Sequence, residues 1–474
     1  MDGLRLLTPE FLLSGLAGLL LLADLWIPPR HARVLFHFAI LSAAAALGSL
    51  GLAYSTPSVY QGIGSLWVVD PLALFFKVLI LATAVFVLFL TVDARRGDDE
   101  HQGSYAALVL LAAVGMMLLV SAVDLLLVFL SLELISICSF ILVGFERGDL
   151  KSTEGALKYF LFGAFSSAVM VFGLSLFYGA TGTTHLLQPV PQYGYAASIM
   201  FVLSCLMLLV GFGFKVSMAP FHFWVPDAYE GAPTPITTYL SIAPKVAGFA
   251  MLLRVFTKLI PHPALELTSL FTFLAILTMT VGNLTALFQT NIKRLLAYSS
   301  VAQAGYMLIG FVTCDAAGRE GVLLYSLAYL LMNVGAFSVA VAVGNDDGYG
   351  LEAYDGLSRR SFGLALAMFF FLLSLAGIPP MAGFIGKFYL FAAAIKGGWY
   401  TLAIIAVLNS VVSVYYYMRV AYHMFFRPAR TERPTTTGLY LYSGMAVALI
   451  GTFLIGLYPE PFLALVRASA GMLP

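Results

Sequence analysis

Six basic side chains, Lys77, Lys158, Lys215, Lys245, Lys387 and Arg419, fall inside apolar runs long enough to cross a bilayer. A charge near the bilayer centre costs about 2.5 to 3.5 kcal/mol on insertion scales, so such residues face protein or water and mark ion pathways. Glu133, in Leu130-Ser131-Leu132-Glu133-Leu134-Ile135, is a carboxylate near the middle of another such run. Alone it would take up a proton, and Lys215 is its natural partner. Separating the pair leaves a partly desolvated lysine ready to release its proton, so a movable pair gates proton transfer. Structural ion pairs holding helices together are the alternative for Glu133, Lys215, Lys245 and Lys387 taken as a set.

The other candidates have two readings each. Lys77 and Arg419 lie within about two turns of a span end and can snorkel to the interface. Lys158 follows Glu154 by four residues on one helix face, which suits either a local pair or a lateral route for protons. His222, in Pro220-Phe221-His222-Phe223-Trp224, either relays protons near neutral pH or hydrogen-bonds a freed carbonyl.

These residues need helices to position them. Of the 474 residues, 61% are hydrophobic and 10% charged, which excludes a water-soluble fold. A crossing helix needs about 20 mainly apolar residues. That rule gives about fourteen spans, at 9–28, 33–54, 70–91, 104–121, 123–145, 153–179, 196–224, 234–259, 266–289, 291–313, 321–343, 361–396, 399–426 and 437–458. The chain reads as a single all-α membrane domain, 1–474. Lys387 follows Gly377-Ile378-Pro379-Pro380-Met381-Ala382-Gly383, which cannot hold a regular helix, and Lys215 lies five residues before Pro220. Lys245 follows Pro244, whose ring crowds the carbonyl of Leu240 and opens a kink where water can enter. Two broken spans in corresponding places predict inverted five-helix repeats, 104–259 and 266–427. Leu142-Val143-Gly144 aligns there with Leu308-Ile309-Gly310, which sets Glu133 opposite Ser299.

Loop charges give an orientation, because cytoplasmic loops carry the excess of lysine and arginine. Arg30, Arg33, Arg95, Arg96, Arg147, Lys151, Lys293, Arg294, Arg359, Arg360, Arg427, Arg430 and Arg433 gather on one side. Arg5, Arg254, Lys258, Arg319, Lys396 and Arg467 gather on the other, with both termini. Both ends are therefore expected outside the cytoplasm. Net charge is +1 and no long basic run is present, so nucleic acid is not an expected partner. Cys138, Cys205 and Cys314 are too scattered for a metal site, an iron–sulfur centre or a disulfide framework, and no glycine-rich dinucleotide motif lies on a strand-to-helix turn.

Three segments resemble a known family. Gln289-Thr290-Asn291-Ile292-Lys293-Arg294-Leu295-Leu296-Ala297-Tyr298-Ser299-Ser300 is similar to the stretch shared by the antiporter-like subunits of respiratory complex I and by Mrp-type sodium/proton antiporters. The run from Pro220 to Pro235, with Tyr229-Glu230-Gly231-Ala232-Pro233 at its centre, and the run from Glu154 to Ala168 look like subunit N and its mitochondrial counterpart. The resemblance covers nearly the whole chain. It implies that Glu133, Lys215, Lys245 and Lys387 are proton-path residues, with Lys158 a further member. It also implies neighbouring membrane subunits as partners, and places FMN, iron–sulfur clusters and quinone reduction in other subunits, with no cofactor or metal here. A bacterial inner membrane is the location it suggests, and a Mrp-type antiporter or a related hydrogenase complex is the competing reading. Gln303 stands where many relatives carry histidine, which puts a histidine link between the eighth and twelfth spans in doubt and leaves water or Tyr298 to substitute.

Overall fold

The computed structural model describes residues 7–28, 31–53, 60–61, 66–95, 101–186, 195–259, 267–313, 315–430, 435 and 437–470. Arg5, Arg30, Arg96, Arg433 and Cys314 of the sequence reading, and the side chain of Lys258, lie outside what is described.

The chain is built of helices α1 (Thr8–Asp24), α2 (Arg33–Ala53), α3 (Pro71–Ala94), α4 (Gln102–Ser121), α5 (Leu125–Val143), α6 (Leu150–Thr181), α7 (Tyr195–Val216), α8 (Val225–Gly231) and α9 (Thr234–Leu259). They are followed by α10 (Leu267–Ala286), α11 (Ile292–Thr313), α12 (Ala316–Asp347), α13 (Leu357–Arg360), α14 (Phe362–Ala376), α15 (Ala382–Lys396), α16 (Tyr400–Phe426), α17 (Leu439–Leu457) and α18 (Glu460–Ala470). Among the described residues, twelve helices are long and apolar enough to cross a membrane. With the 17-residue α1, and α14 and α15 as one interrupted span, they account for the expected fourteen. The strand content described is a hairpin of β1 (Tyr60–Gln61) and β2 (Val68–Val69). Helix α18 was not anticipated: at 11 residues it is too short to span, and its polar face carries Glu460 and Arg467, which pair at 3.2 Å.

Local chemistry sets the helix ends. Asp70, Asp124, Asp149 and Asp315 cap α3, α5, α6 and α12, each accepting a hydrogen bond from a first-turn amide at 2.8 to 2.9 Å. The two breaks fall where the prolines and glycines require them. Helix α7 stops at Val216, ahead of Ser217 with φ +63°, and the chain runs through turns over Pro220 before α8 begins. Helix α14 stops at Gly377, φ +87°, whose amide donates to the Leu373 carbonyl at 3.1 Å. Pro244 leaves no such gap: α9 runs through it unbroken.

Helix α9 is the centre of the bundle, packed against α3, α4, α7 and α12 and buried along its whole apolar stretch, while the outward faces of α6 and α17 are largely exposed. Three expectations about charged residues change. Lys77 does not snorkel: it is fully buried and pairs with Glu10 of α1 at 2.6 Å. Arg419 binds the carbonyls of Leu287 and Gln289 at the end of α10, so it ties a chain turn to α16. Arg254 is no loop charge; it lies buried within α9 and holds Asp70 through two 2.9 Å hydrogen bonds and the Val120 carbonyl at 3.0 Å. Burying such a pair is tolerable because the guanidinium and the carboxylate meet through two parallel charge-assisted hydrogen bonds.

Candidate functional site

The three central lysines are buried to within 3% of full enclosure, one on each side of a break and one between them. Lys215 occupies the last turn of α7 and its Nζ donates to Ser136 Oγ of α5 at 3.0 Å. Lys245, in the middle of α9, donates to the Ser300 carbonyl at 3.0 Å and Ser300 Oγ at 2.7 Å. Lys387, on α15, reaches back across the break to the carbonyls of Leu375 and Ala376 at 3.0 and 3.1 Å and to Ser410 Oγ at 3.1 Å, above the ring of Tyr306.

The two break lysines are connected in opposite order. Lys215 precedes its break, as a residue of the last turn of α7, and Lys387 follows its break, with its ammonium on the carbonyl end of α14, where the macrodipole favours a cation. Gly377 makes this possible at α14: a Cβ there would approach Lys387 Cδ to 2.9 Å, in a backbone conformation that side chains rarely adopt.

Between Lys245 and Lys387 lies a buried polar group built on α11 and α16. Ser299, next to Ser300, shares a 2.5 Å hydrogen bond with the Tyr417 hydroxyl. Gln303 Nε2 donates to Tyr417 at 3.2 Å and to the Leu375 carbonyl at 3.1 Å, the same carbonyl that Lys387 binds. The Tyr325 hydroxyl donates to Gln303 Oε1. At the position where the histidine link stood in doubt, Gln303 itself bonds to the Leu375 carbonyl and Tyr417, and Tyr298 takes no part in these bonds.

Glu133 is half-buried on α5 and accepts from Ser167 of α6. It makes no ion pair with Lys215; Ser136, one turn along α5, holds the lysine in its place. Lys158 satisfies the local reading and exceeds it, pairing with Glu154 at 2.5 Å and with Asp227 of α8 at 2.8 Å. His222 is buried against the Phe223 ring with its Nδ1 unpartnered, so that nitrogen binds no freed carbonyl.

One cluster escaped the sequence reading. Arg294 of α11 bridges Asp227 at 2.6 Å and Glu230 at 2.9 Å, and Lys151 binds Glu230 at 2.8 Å. Burial pushes both carboxyls up, but hydrogen bonds from Lys158 and Arg294 hold Asp227 below the usual carboxylate range, and those from Lys151 and Arg294 do the same for Glu230. Their i, i+3 spacing, with Lys293-Arg294 elsewhere, was the available signal.

A helical membrane bundle with two interrupted spans and a buried row of lysines defines a polytopic protein that handles charge inside the membrane. A family model described as "NADH:quinone oxidoreductase/Mrp antiporter, TM" matches residues 122–413. The chain is 44% identical to the NADH-quinone oxidoreductase subunit N of Moorella thermoacetica, covering 99% of both chains. It is 41% identical to that of Trichlorobacter lovleyi, over 99% of this chain and 97% of the relative. A solved chain from respiratory complex I of Thermus thermophilus with bound Aureothin superposes with a TM-score of 0.84 at 35% identity, over 97% of this chain and 100% of that one. The chain belongs to the NADH-quinone oxidoreductase subunit N family of multi-pass bacterial membrane proteins.

Proposed function

We propose that the chain is a proton-translocating membrane subunit of a NADH-quinone oxidoreductase, coupling electron transfer in partner subunits to proton movement along Lys215, Lys245 and Lys387. The observation that carries this reading is the buried row itself. The hydrogen-bond partners of all three lysines are uncharged oxygens, so no fixed carboxylate traps the proton. The buried Ser299, Tyr417 and Gln303 side chains between Lys245 and Lys387 supply polar groups along the way. Relatives named subunit N support this over an independent cation/proton antiporter.

The Glu133–Ser167 contact is the resting side of the gate: swinging Glu133 from Ser167 towards Lys215 recreates the pair that alters lysine protonation. Lys158 and His222 supply the approach to that end. Spans 104–259 and 266–427 act as the two repeats, each built around one break. The subunit does no redox chemistry of its own; FMN, iron–sulfur clusters and quinone belong to partners, which include neighbouring antiporter-like and small membrane subunits. Both termini face outward across a bacterial inner membrane, in line with the loop charges. Moving one charge against 100 mV costs about 2.3 kcal/mol, so the row must block leak as well as conduct.

The test is Lys215→Ala in the assembled enzyme, with NADH-quinone turnover and proton pumping measured together. Loss of pumping and coupled turnover with assembly intact supports the reading. Wild-type pumping overturns it.

A further inference from the structure

A cleft far from the lysine row holds two opposite charges that do not pair with each other. Helices α2 and α17 both pack against α3. Between them lies a cavity of about 590 Å³, lined by Arg33 and His37 of α2, Asp93 of α3, and Thr437, Gly438 and Tyr440 around the start of α17. Its volume falls within the roughly 300 to 1,000 Å³ of small-molecule sites. Ala94 and Arg95, next in the chain after Asp93, line a separate cavity with the exposed Lys151, so both cavities open on one face of the bundle.

Arg33 is exposed in the first turn of α2, and among the described residues its guanidinium has no partner. Asp93 accepts from the Leu441 amide at 2.7 Å and, among the described residues, pairs with no cation. Gly438 admits that carboxylate against the chain, since a Cβ there would collide with it. His37 and Tyr440 wall the cleft: His37 Nδ1 donates to the Arg33 carbonyl at 2.8 Å, and Nε2 shares a 2.8 Å hydrogen bond with the Tyr440 hydroxyl. The Tyr440 ring meets those of His37 and Phe89 edge-on at 5.5 and 5.4 Å. Beyond the polar groups the surface turns apolar. Val34, Phe38 and Leu41 continue from Arg33 along one face of α2, and Leu439, Tyr442 and Ile450 run along α17; all six are exposed.

We propose that this cleft binds a phospholipid whose headgroup carries a primary ammonium, a phosphatidylethanolamine, with its phosphate on Arg33 and Thr437 and its ammonium on Asp93. The acyl chains lie along the apolar faces of α2 and α17. Charge complementarity selects this occupant. A guanidinium presents a planar fork to two phosphate oxygens, and a primary ammonium offers three donors to a carboxylate that has so far accepted only one amide. An anionic headgroup leaves Asp93 unmatched and repels it, a choline headgroup brings a cation without a donor, and free phosphate leaves the apolar faces bare. The surroundings are those of a headgroup site, with tyrosine at the membrane–water boundary and a cation between helices. The bound lipid ties α2 to α17, the last span, across the cleft that the His37–Tyr440 bond closes on one side.

The test uses the assembled enzyme in vesicles of phosphatidylethanolamine and phosphatidylcholine in equal parts. A photoreactive phenylalanine analogue replacing Phe38 reads the lipid beside the cleft, and the same analogue replacing Leu454, exposed near the far end of α17, reads the surrounding bilayer. Cross-links at 38 are expected to favour phosphatidylethanolamine severalfold over their ratio at 454. Asp93→Asn keeps an acceptor for the Leu441 amide while removing the charge, and Arg33→Gln removes the phosphate's partner; each is expected to bring the ratio at 38 down to that at 454. Equal ratios at the two positions in the parent, or a preference that survives both variants, overturn the site. In vesicles where phosphatidylglycerol replaces phosphatidylcholine, a preference for phosphatidylglycerol at 38 marks a simple anion site and overturns the proposal. If a variant does not assemble, the parent's ratios against the two competing lipids decide.

Discussion

Gln303 holds three groups at once: the Tyr325 and Tyr417 hydroxyls and the Leu375 carbonyl. Gln303→Leu strands buried polar atoms, each at about 1 to 3 kcal/mol, and removes a polar group from between Lys245 and Lys387. The expected outcome is an enzyme that assembles, melts earlier and pumps less, with Gln303→His recovering pumping before stability; equal loss in both variants would argue against a relay role. Asp70 poses a different question, because besides capping α3 it neutralises the buried Arg254. Removing one partner of a buried pair costs about 3 to 5 kcal/mol, so Asp70→Ala should abolish assembly on native gels, while Arg254→Met with Asp70→Leu should restore much of it. Every intramembrane lysine was visible in the sequence, since a charge in an apolar run is rare. Their partners were not: Ser136, Ser300 and Ser410 are ordinary helix residues whose hydroxyls usually satisfy themselves on their own backbone, and only packing shows that they meet an ammonium.

Between the residue and the fold lie the interrupted helices. Their positions were legible because proline and glycine act locally, whereas the unbroken course of α9 through Pro244 depends on neighbours that fill around it. Chain breaks alone did not reveal that Lys387 reaches back to the carbonyl end of α14 while Lys215 binds Ser136 of α5. Gly377 is the point to probe. Gly377→Ala forces a Cβ into a positive-φ position at about 1 to 2 kcal/mol and into the Lys387 stem, so it should displace the ammonium from Leu375 and Ala376. Proton pumping is expected to fall well below that of Gly363→Ala on the same helix, where the added Cβ meets open space. Equal pumping in the two variants would show that Lys387 does not need its seat.

Across the molecule, the Asp227–Glu230 cluster fastens α6, α8 and α11 at one membrane face. Both carboxyls are held below their ordinary values of 3.8 and 4.5, so their contribution to stability is complete above those values and drains away as pH falls through and beneath them. The melting temperature of the purified complex should therefore drop on its acid limb, and Arg294→Leu should lower it at neutral pH and flatten that limb; an unchanged limb would remove the cluster from the account. The span count was legible because lipid demands length and apolarity everywhere, while this cluster joins segments distant in sequence and shows no local pattern. The seating of Lys387 on main-chain oxygens has a genetic corollary. No codon change at Leu375 or Ala376 can delete a carbonyl, so a saturation screen for lost pumping should find those two positions permissive to conservative apolar replacements. Null alleles should instead concentrate at Lys387 and Gly377.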